Sequence, residues 1–122
     1  DLVTDVELAI RSDGKFLAMR ASNLSNAGAR CVSLSPLGKG SGLVTGSYAV
    51  PVASLRSRAV FTNTMPTQAY RSSGRPEVTY AIERLIDLAA AKIGIDSIEL
   101  RTRNLVSPEQ MPYVVLRKVK FR

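Results

Sequence analysis

The densest run of side chains able to do chemistry is TNTMPTQAYRSSGRPE, residues 62–77. It carries two arginines, several hydroxyls, amide side chains and a glycine, between a predicted strand and the strongest helix signal in the chain, which begins at Pro76. A helix N-terminus at such a crossing offers free backbone N–H groups and the positive end of its dipole. In α/β architectures ligands favour these strand-to-helix junctions. The stretch is therefore suited to holding something polar and anionic, and spacing alone does not say what.

Other candidate centres carry less. Gly38-Lys39-Gly40-Ser41-Gly42 invites comparison with phosphate-binding loops, but it lacks the GxxxxGK[ST] pattern and no strong strand feeds it. A flexible connector is the reading it supports. Glu83 and Asp87 lie one helical turn apart and read as a solvated face rather than an acid/base pair. The one cysteine, Cys31, excludes an internal disulfide and a thiolate-only metal site. With no histidine, imidazole metal ligation and His-based triads are excluded within the chain.

The elements that must position the loop follow from periodicity. VTDVELAIR (3–11) alternates as a half-buried strand, Ser12-Asp13-Gly14-Lys15 supplies a tight turn, and FLAMRAS (16–22) returns as its partner. NLSNAGAR (23–30) reads as a polar turn region and CVSL (31–34) as a short extension. Residues 35–48, with four of the eight glycines, read as loop with a helical turn near 42–48. VASLRSRAVFT (52–62) alternates again, with Arg56 and Arg58 on a wet face.

Pro76 suits the first helical position and Glu77 the first turn. Val78, Ile82, Leu85, Ala89 and Ile93 mark one apolar face, and Gly94 ends the helix. Asp96-Ser97-Ile98-Glu99 forms a capping-box pattern for a second helix, about 97–104, expected to bury Ile98 and Leu105. The fold class is α+β: a small, mostly antiparallel sheet with a long helix (about 76–93) and a short one (about 97–104) packed on it.

At 122 residues the chain is one domain's worth, and 45% hydrophobic with 22% charged residues indicates a globular protein. No apolar run approaches the ~20 residues of a membrane span. The net charge of +7 is concentrated, since four basic residues fall in the last six positions, 117–122. The rest carries 13 basic against 10 acidic residues, and its few aromatics do not interleave with them. Nucleic-acid binding is therefore the weaker reading.

One segment is specific. TNTMPTQAYRSSGRPEVTYAIERLIDLAAAKIGIDSIELRTRNLV (62–106) resembles the molybdenum-cofactor-binding large subunits of the xanthine dehydrogenase, aldehyde oxidase and carbon monoxide dehydrogenase superfamily. The family pattern is approximately TNxxPxxAYRGxGRPE, a helix with ERL(I/V)D, then G(I/L)DPxELRxRNL. The likeness extends over VELAIRSDGKFLAMRASNLSNAGA at the start and SPEQMPY at 107–113.

The resemblance implies that Gln68, Ala69, Tyr70, Arg71, Ser72 and Ser73 lie along a molybdopterin cofactor, present in the parent as its cytosine dinucleotide. Carbon monoxide dehydrogenases place a copper-holding cysteine directly after AYR. Ser72 stands there, and a hydroxyl is a poor copper(I) ligand. The family's upstream glycine-rich motif, its later cofactor contacts and its glutamate base have no counterpart here. The expectation is a partial molybdenum-cofactor-binding domain over 1–113, followed by a basic tail over 114–122. It would supply one wall of the pocket and be inactive alone, with no cofactor held tightly. The parent would hydroxylate an aldehyde or N-heterocycle alongside iron–sulfur and FAD subunits or domains, without membrane involvement and in the cytoplasm. The alternative is a small basic interaction or nucleic-acid-binding module.

Overall fold

A computed structural model describes residues 2–121, with side chains described through residue 115; Asp1 and Arg122 lie outside it. The side chains of the basic segment 117–122, on which the interaction-module alternative rested, are also outside the described residues. The order is β1 (Leu2–Ile10), β2 (Phe16–Gly28), α1 (Ser35–Ser41), β3 (Val52–Phe61), α2 (Arg75–Ile93), α3 (Ser97–Asn104) and β4 (Leu116–Phe121). A single 3-10 turn, Pro108–Gln110, precedes β4.

The architecture is α+β, and its sheet is mixed rather than mostly antiparallel. The strands lie in the order β1-β2-β3-β4. The β1–β2 pair is antiparallel, whereas β2–β3 and β3–β4 are parallel. Parallel neighbours need long crossovers. The glycine-rich stretch before β3 and the helical segment before β4 provide them.

The β1–β2 hairpin closes as its Asp-Gly signal indicates, with Gly14 at φ 87° and its N–H donating to the Arg11 carbonyl at 2.9 Å. β2 then continues through the region expected to turn. It buries Ala21, Asn23, Ser25 and Ala27 at alternate positions, a period-2 pattern hidden because half of those residues are polar. The 31–34 extension is not a strand. Residues 35–41 form α1, begun by Pro36 in its first turn, in place of the expected loop.

The helices cover one face of the sheet. Phe16, Met19, Ala53 and Leu55 from the strands meet Val78, Ile82, Ile86 and Ala90 of α2 and Leu100 of α3. Each such large side chain, fully buried, contributes about 1.5–3 kcal/mol. The buried stripe of α2 runs through Ile86 and Ala90, with Leu85, Ala89 and Ile93 as its half-buried border. The buried apolar residue of α3 is Leu100, whereas Ile98 is 72% exposed and Leu105, just past its end, is exposed. Asp96 caps α3 by accepting from the N–H groups of Ile98 and Glu99, both at 3.0 Å, and this fixes the rotation that turns Ile98 outward.

Candidate functional site

The loop leaving β3 is fastened before it reaches α2. Thr62 N–H donates to the Gly28 carbonyl (3.1 Å), and Ala29 N–H donates to the Thr64 carbonyl (3.0 Å). The Thr67 hydroxyl donates to the Asn26 carbonyl (3.1 Å). Gly28, at φ 78°, has Pro66 so close that a Cβ would lie 2.4 Å from the proline Cα. The TNTMP half of the loop is thus laid along the end of β2, and only glycine fits beneath it.

The second half is a tight turn. Ser73 N–H donates to the Tyr70 carbonyl (2.9 Å) and Arg75 N–H to the Ser72 carbonyl (3.0 Å). Ser72 adopts φ 70°, a left-handed conformation costly for a residue with a Cβ. Gly74 follows at φ 80° as the N-cap of α2. A Cβ on Gly74 would lie 1.9 Å from the Pro36 carbonyl oxygen, and one on Gly40 would lie 2.8 Å from the Gly74 oxygen. The glycine-rich segment is therefore a packing partner that lets α1 press against the start of α2.

Of the six residues expected to line a cofactor, Gln68, Ala69, Tyr70, Arg71 and Ser72 are exposed and Ser73 is buried. Gln68, Tyr70, Arg71 and Ser73 meet Pro36 and the first turn of α2 around a small cavity of about 140 Å³, which Ala69 and Ser72 do not line. The Ser73 hydroxyl is buried without a hydrogen-bond partner. Among the described residues, the guanidinium of neither Arg71 nor Arg75 donates to a protein carbonyl, so neither is used up in capping the loop.

These features fit a pterin with a phosphate arm. A pterin ring presents both donors and acceptors. The residues lining the cavity include Ser73, Gln68, Arg71 and Glu77, which carry a hydroxyl, an amide, a guanidinium and a carboxylate. The Arg71 fork suits phosphate oxygens. The cavity is smaller than the ~300–1,000 Å³ of sites that enclose a small molecule. It can seat part of such a group.

The other charged cluster has a different purpose. Glu83 accepts from the Tyr48 hydroxyl (2.8 Å) and from Arg101 Nε (2.8 Å), while Arg101 Nη2 reaches Asp87 at 2.9 Å. Arg101 also donates to the Glu83 and Ser97 carbonyls. Burial, then the hydrogen bond to Glu83, pushes the Tyr48 hydroxyl up to about 12. Although burial opposes it, bonding to Glu83 and Asp87 holds the Arg101 guanidinium above its ordinary value. The two carboxylates clamp α2 to α3. They stand partly in solvent, with Arg101 as their shared partner.

Asn104 is the residue that periodicity did not single out. Fully buried, it accepts from Phe16 N–H (2.8 Å) and donates to the Gly14 (2.8 Å) and Leu100 (2.9 Å) carbonyls. Its own carbonyl accepts from Ala49 N–H at 2.7 Å. The signal was present in the string LRTRN: its leucine enters the core, its first arginine forms the clamp and its asparagine ties α3 to the hairpin. Among the described residues no cluster of three or more metal-binding side chains occurs, and no helix is long and apolar enough to cross a membrane.

Comparison with known proteins agrees with this geometry. The family described as "Molybdopterin cofactor-binding domain" matches residues 1–105. The 6-hydroxypseudooxynicotine dehydrogenase complex subunit gamma of Paenarthrobacter nicotinovorans is 41% identical over 115 residues, covering 93% of this chain and 14% of its own length. The carbon monoxide dehydrogenase large chain of Afipia carboxidovorans is 43% identical over 113 residues, 88% of this chain and 14% of the relative. The crystal structure of quinoline 2-oxidoreductase from Pseudomonas putida 86 superimposes with a TM-score of 0.83 at 35% identity, covering 93% of this chain and 15% of that one. The chain thus spans about a seventh of the length of these relatives. By sequence and by fold, it belongs to the molybdopterin cofactor-binding domain family.

Proposed function

We propose that the chain supplies one wall of the molybdopterin pocket of a molybdenum hydroxylase large subunit. Gln68, Ala69, Tyr70, Arg71, Ser72 and Ser73 would run along the cofactor, which is bound as its cytosine dinucleotide. The observation that carries the reading is the buried, unpartnered Ser73 hydroxyl beside Gln68 and Arg71 in a cavity too small to enclose the whole group. When bound, molybdopterin supplies a redox-active molybdenum centre. This chain's residues bind and orient it: Ser73 and Gln68 toward the pterin, Arg71 toward phosphate oxygens, and Ala69 as a small surface against which the ring can lie.

The remaining walls and the general base come from the rest of the subunit, so the chain alone is inactive. The parent hydroxylates an aldehyde or N-heterocycle and passes electrons to iron–sulfur and FAD partners. Ser72 at the position after Ala69-Tyr70-Arg71 favours these substrates over carbon monoxide, because a hydroxyl holds copper(I) poorly.

A chimera tests the reading. This chain replaces the matching 115-residue segment of the Paenarthrobacter subunit gamma, and molybdenum per chain is measured alongside that of the isolated 122-residue chain. The expected result is a loaded chimera and an empty isolated chain, with Arg71→Ala lowering the chimera's content. Stoichiometric molybdenum on the isolated chain, or an assembled chimera that loads none, overturns it.

A further inference from the structure

The end of the sheet farthest from β4 is an edge among the described residues. β1 is paired on one side only. Natural edge strands are blunted by proline, lysine, short length or bulges. β1 is nine residues long, contains neither proline nor lysine, and its only irregularity lies at Ala9/Ile10, the extreme end.

Beside this edge runs a groove. Thr4 and Val6 of β1 face Tyr80, Ala81, Leu85 and Leu88 of α2 across an open cavity of about 880 Å³. Tyr80 is 73% exposed, and Leu88 and Val3 are also exposed. An extended segment added to β1 would drop alternate side chains into this groove while its backbone completed the edge, the geometry of β-strand addition.

Charge narrows the occupant. The outward face of β1 carries Val3, Asp5, Glu7 and Ala9, with no basic residue anywhere in the strand. Glu7 already pairs with Arg20, whereas Asp5 has no ion-pair partner among the described residues. A second copy pairing antiparallel about Val6 would set Asp5 opposite Glu7 twice, and like charges directly opposite destabilise a sheet. A strand with apolar residues facing the groove and a lysine or arginine opposite Asp5 fits. Family relatives carry about six-sevenths of their length outside the matched region.

We infer that an apolar/basic strand from the rest of the large subunit adds to β1 as a fifth strand and fills the groove over α2. The source of that strand rests on the function proposed above.

Two experiments test it. In the isolated chain, amide exchange by NMR is followed with a capped nine-residue peptide of alternating valine and lysine, and with its valine–glutamate counterpart. The lysine peptide should slow exchange along β1 and bind about two- to fivefold more tightly than the glutamate peptide, an advantage that Asp5→Lys abolishes. Equal binding of the two peptides, or no slowing along β1, overturns the assignment. So does concentration-dependent dimerisation that protects β1, since the occupant would then be a second copy. In the chimera, hydrogen–deuterium exchange over residues 2–10 should be slower than in the isolated chain. Unprotected β1 in a molybdenum-loaded chimera overturns the docking edge and leaves the cofactor reading standing. Protected β1 in a chimera without molybdenum supports the docking edge and overturns the cofactor reading.

Discussion

Ser72 and Asn104 set opposite limits on what single side chains do in this domain. Ser72 holds a left-handed backbone angle with a Cβ attached. Ser72→Gly should therefore raise stability by about 1 kcal/mol, read from the urea midpoint at unchanged slope. Asn104→Ala leaves the Phe16 N–H and the Gly14 carbonyl without their buried partner. It should cost about 2–5 kcal/mol in the same measurement. Tyr48 supplies the pH dependence. Its folded hydroxyl is raised to about 12 from 10.0. The associated stability is complete below pH 10 and declines as pH rises through 12. Tyrosinate absorbance should show one late-titrating group that disappears in Tyr48→Phe; an unchanged titration would contradict the Glu83 bond. At this scale the sequence drew attention to the loop by its polar residues, of which Ser73 and Arg71 line a cavity. Asn104 was not, because a buried asparagine looks like any polar residue until its partners, up to 90 positions away, are known.

Among the elements, the contact between α1 and the start of α2 is the most exacting. Gly74→Ala drives a methyl into the Pro36 carbonyl at a positive φ, and should cost about 2–4 kcal/mol. Gly94→Ala is the control, with a similar φ of 72° but open space around it, and should cost only about 1 kcal/mol. Equal losses in thermal or urea unfolding would show that backbone angle, not helix contact, governs both. The long helix, its glycine stop and the Asp96 cap were readable because apolar spacing and capping chemistry are local. α1 was hidden by its glycines, which read as flexibility although Gly40 serves close approach to Gly74. The far half of β2 was hidden by Asn23 and Ser25, polar residues on its inner face. The parallel pairings could not be read locally, because strand direction follows from the crossovers.

For the whole molecule, the clamp of Arg101 on Glu83 and Asp87 and the core under α2 hold the sheet and helices together beneath the loop. The sheet and helices give the loop a fixed mount, on which residues 68–72 stand exposed. The domain should therefore unfold cooperatively by itself, with one transition by circular dichroism and by tyrosine fluorescence, while showing no hydroxylase activity. Non-coincident transitions would mean that the sheet and helices do not form one cooperative unit.

The Asn104 junction also orders events in time. The hairpin turn at residue 14 leaves the ribosome before the side chain that latches it, which is made 90 residues later. Proteins emerge N-terminus first, and contacts of high sequence separation wait for the distant partner. The hairpin must remain unlatched while the residues between are made, an interval in which its acidic edge is open to wrong partners.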